Sequence, residues 1–240
     1  MDWLAGTSGY SYKEWKGSFY PEDIAADGML AHYAAQLPAV EINNTFYRMP
    51  RTHVLETWRD AVPDNFRFSI KASRRITHHA RLKDCDEAVN FLATGLEALG
   101  DKLGCVLFQL PPYLRRDGER LDAFLANWPK ALPAALEFRH ESWFDDATAQ
   151  TLTRHGAAIC VSEAASPNGD GEPPLPAFLA TTDWLYLRLR KPAYDDAALA
   201  GWLDRAAATS AARGFAFFKH EDEGAGPRFA GRFLELARAC

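Results

Sequence analysis

The chain has 240 residues, 48% of them hydrophobic and 25% charged, which is ordinary globular composition. Lys and Arg number 27 against 32 Asp and Glu; the net charge of -5 and pI near 5.8 give no bulk attraction to nucleic acid or anionic membranes. The four cysteines, Cys85, Cys105, Cys160 and Cys240, are too scattered for a disulfide framework or a C-x-x-C site. A reducing cytoplasm is the expected compartment. The opening "MDWLAGTSGY" is too short and polar for a secretory leader, and no apolar run reaches membrane-span length.

A first strand is predicted at Trp3–Gly6. It leads into a long aromatic connection, "GYSYKEWKGSFYPEDIAADG", and then a helical stretch, "GMLAHYAAQL". Strands follow at Ala39–Asn43, Arg67–Lys71, Cys105–Gln109, Ala135–Arg139, Ala158–Ser162, Leu185–Arg190 and Phe215–Phe218. Between them lie "THVLETWRDAV", "DEAVNFLATGLEALG", "ERLDAFLANW", "DATAQTLTRHG" and "DDAALAGWLDRAAATSAARG"; "GPRFAGRFLELARA" closes the series. Several open on Asp, Thr or Glu and end near Gly or Pro, as helices do. The Pro- and Gly-rich connection after the sixth strand, spanning 164–182, reads equally as a lid or an insertion.

Eight strands alternating with helices in this length fit a single (β/α)8 barrel over 1–240, a TIM barrel in the α/β class. A doubly wound open sheet is the alternative. Against it, "GTSGYS" neither opens directly into a helix nor carries dinucleotide-binding spacing.

Barrel strands alternate between helix layer and interior. With the apolar residues outward, Glu41 and Asn43 point in from strand two, and Ser69 and Lys71 from strand three. Gln109 points in from strand four, Glu137 and Arg139 from strand five, and Tyr186, Arg188 and Arg190 from strand seven. On strand eight, Phe218 and His220 are expected inside. Most of the polar positions fall at strand C-termini, where barrel active sites sit. Lys71, Arg139, Arg188 and Arg190 outnumber Glu41 and Glu137, so a small anionic group would restore the balance. Structural Glu–Arg pairs are the bland alternative for any one of these contacts.

Trp15, Phe19, Tyr20, Phe46, Tyr47 and Trp143 fall in loops near the same end, as loop packing or an apolar wall for a ring or sugar. Adjacent His78 and His79 cannot share a helix face. His140, His220, Glu221 and Asp222 lack metal-binding spacing, so neither metal nor cofactor is expected. No G-x-S-x-G elbow and no phosphate-loop lysine motif occurs.

The stretches "GTSGYSYKEWKGSFYP", "VEINNTFYRMP", "FRFSIKASRRITH", "GDKLGCVLFQLPP", "LEFRHESWF", "YLRLR" and "GPRFA" run in this order along nearly the whole chain. In them the chain resembles the YecE-like family, domain of unknown function 72. The resemblance implies a (β/α)8 barrel and supplies no activity. Two positions depart from the pattern it implies. Arg190 and Lys191 stand where many relatives carry His-Gly, and Phe218–Glu221 stands where many carry Phe-Asn-Asn-Asp.

The expected function is therefore an enzyme acting on a small phosphorylated, carboxylated or sugar-like substrate at the barrel's C-terminal mouth by carboxylate acid/base chemistry, with Glu41 or Glu137 as the general acid or base. Glu137, Glu41 and Lys71 are the candidate catalytic groups. Arg139, Arg188, Arg190, Asn43, Tyr47, Gln109, His220 and Trp143 are the candidate binding groups. Glycoside hydrolysis, proton abstraction beside a carbonyl and a Lys71 Schiff base all fit these residues. A non-catalytic binding or sensing protein is the alternative, and a nuclease-like enzyme ranks last. A monomer is favoured, with no membrane or nucleic-acid partner.

Overall fold

The computed structural model describes residues 1–163 and 178–239. Eight parallel strands close into a barrel in chain order. They are β1 (Asp2–Ser8), β2 (Ala39–Ile42), β3 (Arg67–Lys71), β4 (Leu103–Gln109), β5 (Ala134–Glu137), β6 (Ala158–Ser162), β7 (Trp184–Leu189) and β8 (Arg213–Phe218). Pairing of β1 with β8, from Asp2 opposite Arg213 to Thr7 opposite Phe218, seals the ring. The expectation for the 164–182 connection falls largely outside the described residues.

Seven helices cover the barrel among the described residues: α1 (Met29–Ala34), α2 (Thr52–Asp60), α3 (Asp86–Leu96), α4 (Gly118–Asn127), α5 (Asp146–His155), α6 (Asp196–Ala207) and α7 (Ala225–Ala239). Three start on an aspartate whose carboxylate accepts a first-turn N–H: Asp117 from Arg120, Asp145 from Thr148 and Asp195 from Ala198. Gly156, with φ of 68°, ends α5 in the left-handed conformation that glycine adopts without strain. No helix among the described residues is long and apolar enough to cross a membrane.

Two apolar layers result. The outer one packs Val40, Ile42, Phe68, Ile70, Leu187 and Leu189 against the helices. The inner one fills the barrel with a few large side chains, Trp184, Tyr186, Phe215 and Phe217, set against the small Ala39, Cys105, Ala135 and Ala158. Strand β8 thus departs from expectation: Phe215 and Phe217 face inward, while Phe218 turns outward onto Tyr194, Phe229 and Phe233. The physical reason is volume. The small inward residues of neighbouring strands leave room that the two phenylalanines occupy, and the adjacent pair Phe217–Phe218 must split across the sheet.

Close approach also fixes Gly6. A Cβ there would stand 1.8 Å from the Ala39 carbonyl oxygen and 2.8 Å from the Tyr33 hydroxyl. That buried phenol donates to Ala39 O at 2.9 Å and accepts from Thr7 N at 2.8 Å, tying α1 to the β1–β2 seam.

Candidate functional site

The C-terminal ends of the strands converge on Arg188 of β7, whose side chain is 2% exposed. Its guanidinium spans the barrel floor. Nη2 donates to Glu41 Oε1 on β2 at 2.7 Å, and Nη1 donates to Glu137 Oε2 on β5 at 2.5 Å. Both carboxylates are fully buried. A charge so placed needs a partner and further hydrogen bonds to be tolerated, and both are present. Glu41 also accepts from Ser8 Oγ at 2.7 Å, Asn43 Nδ2 at 3.0 Å and Tyr186 OH at 2.7 Å. Glu137 also accepts from Gln109 Nε2 at 2.9 Å and Arg139 Nε at 3.2 Å, with Arg190 Nη2 at 3.8 Å.

These contacts set the ionisation. Burial pushes the Glu137 carboxyl up, but the guanidiniums of Arg188, Arg190 and Arg139 outweigh it and hold the group well below the ordinary carboxylate range. Burial likewise opposes ionisation of Glu41; the Arg188 charge and hydrogen bonds from Arg188, Ser8 and Tyr186 reverse that and lower it. Both are carboxylates at neutral pH, with their lone pairs largely engaged.

Lys71, at the end of β3, differs. Its Nζ lies 4.2 Å from the centre of the Phe46 ring, a cation–π contact, and none of the ion pairs among the described residues includes it. Burial, then the Arg188 charge, pulls its ammonium down to about 8; Glu41 and Glu137 only partly oppose this. His78 packs edge-on against Phe46 at 5.0 Å, and burial with the Lys71 and Arg139 charges lowers it as well.

The expected residues thus separate. Glu41, Asn43, Gln109, Glu137, Arg139, Arg188 and Arg190 form one connected cluster, and Lys71 stands beside it. Tyr47 is 70% exposed and meets the cluster through Phe46, beneath the guanidinium of Arg74. Trp143 is not a pocket wall. It is 1% exposed, stacks on Phe138 and donates Nε1 to Leu114 O at 2.7 Å, bracing the loop after β5. His220 is not inside the barrel either. It follows the outward parity of Phe218, packs on Tyr194 and Phe229, and bonds through Nε2 to Lys191 O. Trp15, Phe19 and Tyr20 pack on one another and on Tyr12 and Tyr33, as loop structure.

Ser8 and Glu163 are not among the expected residues. Ser8 carried the signal used for the others, a polar side chain ending a strand on its inward face. Glu163 carried no such signal, because it lies past the end of β6 on the outward parity. Its Oε2 accepts from Arg190 N at 2.9 Å and from the Tyr194 hydroxyl, so it anchors the exit of β7.

Two surface hollows, of about 380 and 470 Å³, lie away from this cluster. One is bounded by α3 and α4, the other by the loop between β2 and α2. The charged cluster gathers several perturbed titratable groups, whereas the residues lining the two hollows include one, Cys85, whose thiol burial pushes up to about 11; the cluster is the stronger candidate. No group of three or more His, Cys, Asp or Glu placed to hold a metal ion occurs among the described residues.

Comparison with known proteins agrees with the barrel fold. UPF0759 protein YunF of Bacillus subtilis (strain 168) is 30% identical over 177 residues, which cover 69% of this chain and 62% of YunF. UPF0759 protein YecE of Escherichia coli (strain K12) is 34% identical over 127 residues, covering 52% of this chain and 47% of YecE. The matched stretches therefore span less than two thirds of either relative. The crystal structure of a DUF72 family protein from Thermotoga maritima MSB8 superposes with a TM-score of 0.86 at 25% identity, covering 99% of this chain and 100% of that one. The family model described as "Protein of unknown function DUF72" matches residues 4–239, and the chain belongs to that family.

Proposed function

We propose that this barrel is an enzyme acting on a small anionic substrate at its C-terminal mouth, with Lys71 as the proton-transfer group. The observation that carries the reading is the charge count at the strand ends. Lys71, Arg139, Arg188 and Arg190 meet two carboxylates, Glu41 and Glu137. Glu163 and Lys191, behind the strand ends, add one charge of each sign. A bound anion supplies the missing negative charge.

Within this reading the carboxylates are the fixed floor. A group held far below its ordinary pKa is a weak base and is no acid at neutral pH. Lys71, at about 8, exchanges its proton near working pH, and as a cation it stabilises a developing enolate or alkoxide. Small size follows from the floor, because one arginine side chain spans it from β7 to both β2 and β5.

The test is a metabolite panel of phosphorylated and carboxylated compounds, scored first by thermal shift and then by mass-detected turnover. Lys71→Met is expected to bind a hit and fail to convert it. A panel in which no anion shifts the melting temperature refutes the reading. Saturation of both inward carboxylates also fits a second reading, a binding or sensing protein, which the panel separates as binding without turnover in the wild type.

A further inference from the structure

Five buried side-chain polar atoms have no hydrogen-bonding partner among the described residues: Ser162 Oγ, Glu163 Oε1, Arg188 Nε, Arg190 Nε and His220 Nδ1. Buried polar atoms are almost always paired, so their distribution is informative. All five lie at or just beyond the C-terminal ends of β6, β7 and β8. They divide into two groups. Glu163 and His220 belong to the packing around Tyr194 on the helix side. Ser162, Arg188 and Arg190 share the inward parity of Cys160 and Tyr186, and Ser162 sits directly opposite Arg188 in the β6–β7 register.

Arg139 completes this second group. It and Arg190 approach the same carboxylate oxygen, Glu137 Oε1, at 3.2 and 3.8 Å. The other oxygen of Glu137 is already taken by Arg188 and Gln109. Two guanidiniums thus share one oxygen, over β5 and β7, and the Ser162 hydroxyl stands on the strand between them. Donors are offered here in excess of acceptors.

We propose that Arg139, Ser162 and Arg190 form the seat of a phosphate monoester head group, and that the rest of the substrate extends across the mouth toward Lys71. This deepens the preceding functional reading and rests on it. The mouth carries an excess of two positive charges, one from the three arginines against Glu41 and Glu137 and one from Lys71 across the ring, and the oxygens of a dianion are enough to engage a hydroxyl and two guanidiniums together. β3 and β7 lie on opposite sides of the closed ring, so head group and reacting atom are held apart by the molecule that joins them.

Inorganic phosphate is the probe, titrated calorimetrically into the full chain at pH 7 and constant ionic strength. Ser162→Ala, Arg190→Gln and Lys71→Met are run in parallel. The wild type is expected to bind phosphate more tightly than acetate or succinate. Ser162→Ala and Arg190→Gln are each expected to weaken phosphate binding roughly tenfold or more, the range of one hydrogen bond to a charged group. Lys71→Met is expected to weaken it less than either. Ser162→Ala deletes an unpartnered hydroxyl and keeps the fold, so it carries the test even if Arg190→Gln does not fold.

Equal phosphate affinity in wild type and Ser162→Ala overturns the seat while leaving anion binding at the mouth intact. Preference for carboxylates over phosphate overturns the head-group assignment in the same way. A crystal grown in phosphate that shows water alone at Ser162 Oγ also overturns it. Failure of the wild type to bind any anion takes down the broader functional reading as well.

Discussion

Replacing Arg188 with Met tests the electrostatic floor directly. Methionine keeps much of the aliphatic stem and removes the guanidinium that joins two buried carboxylates. Glu41 retains donors from Ser8, Asn43 and Tyr186, and Glu137 retains those from Gln109 and Arg139. Neither keeps a fully buried cation. Removing one partner of a buried pair costs about 3–5 kcal/mol, because the remaining charge stays desolvated. For a chain of this size that corresponds to a melting temperature lower by about 10 °C.

The pH dependence supplies the sharper check. In the wild type both carboxyls titrate below their unfolded values. Their stabilisation is present above the unfolded pKa, about 4.3, and is lost as pH falls through the lower folded values. Without Arg188, burial dominates at Glu41 and its folded pKa rises. A raised group stabilises below the unfolded pKa and loses that contribution as pH climbs through the folded one. The deficit of Arg188→Met should therefore be largest at pH 7.5 and smaller at pH 5. Guanidinium chloride unfolding at the two pH values measures it. A deficit under about 1 kcal/mol at pH 7.5, the range of an exposed ion pair, would refute the account. So would an equal deficit at both values.

Other expectations follow from neighbouring geometry. The Lys71 ammonium should titrate near pH 8 in NMR of the isotope-labelled chain; titration near the ordinary value of about 10.4 would remove it as a proton-transfer group. Because burial penalises its charge, Lys71→Met should be more stable than wild type at pH 7, and the gain should fade between pH 8 and about 10.4. Gly6→Ala should lose about 3 kcal/mol or more, since its Cβ meets the Ala39 carbonyl at 1.8 Å and the β1–β2 seam must part; melting at the wild-type temperature counts against that packing. Trp143→Phe should lose about 1 kcal/mol with the Leu114 hydrogen bond and leave anion affinity unchanged; weakened ligand binding would return Trp143 to the pocket wall.

The fold was legible because strand and helix periods alternate cleanly, and strand faces were legible where apolar and polar residues strictly alternate. "LYLRLR" is such a case: Leu185, Leu187 and Leu189 could only face the helices, which sent Tyr186, Arg188 and Arg190 inside. Strand β8 has no such contrast. Phe215, Phe217 and Phe218 suit either face, and the choice was made by the small residues across the barrel, which a single strand does not display. His220 followed Phe218 outward for the same reason. Trp143 shows a related limit. Its place in a loop near the mouth was readable, but its stacking on Phe138 and its bond to Leu114 depend on contacts distant in sequence.

The deeper limit concerns role rather than place. Alternation brings Glu41, Glu137 and Arg188 to one end of the barrel, but it does not say which oxygen meets which nitrogen. That pairing decides the chemistry. With Arg188 loosely placed, either carboxylate could hold a proton at neutral pH and serve as a general acid. With both forks of Arg188 committed, and further donors on each carboxylate, the protonated form of neither is favoured. A reaction drawing its proton from a carboxylic acid at this floor would first have to break an Arg188 contact. Lys71 faces no such barrier, since Phe46 contacts its charge without fixing its proton. The same arginine that makes two buried glutamates tolerable thus moves the proposed acid–base role across the mouth to β3.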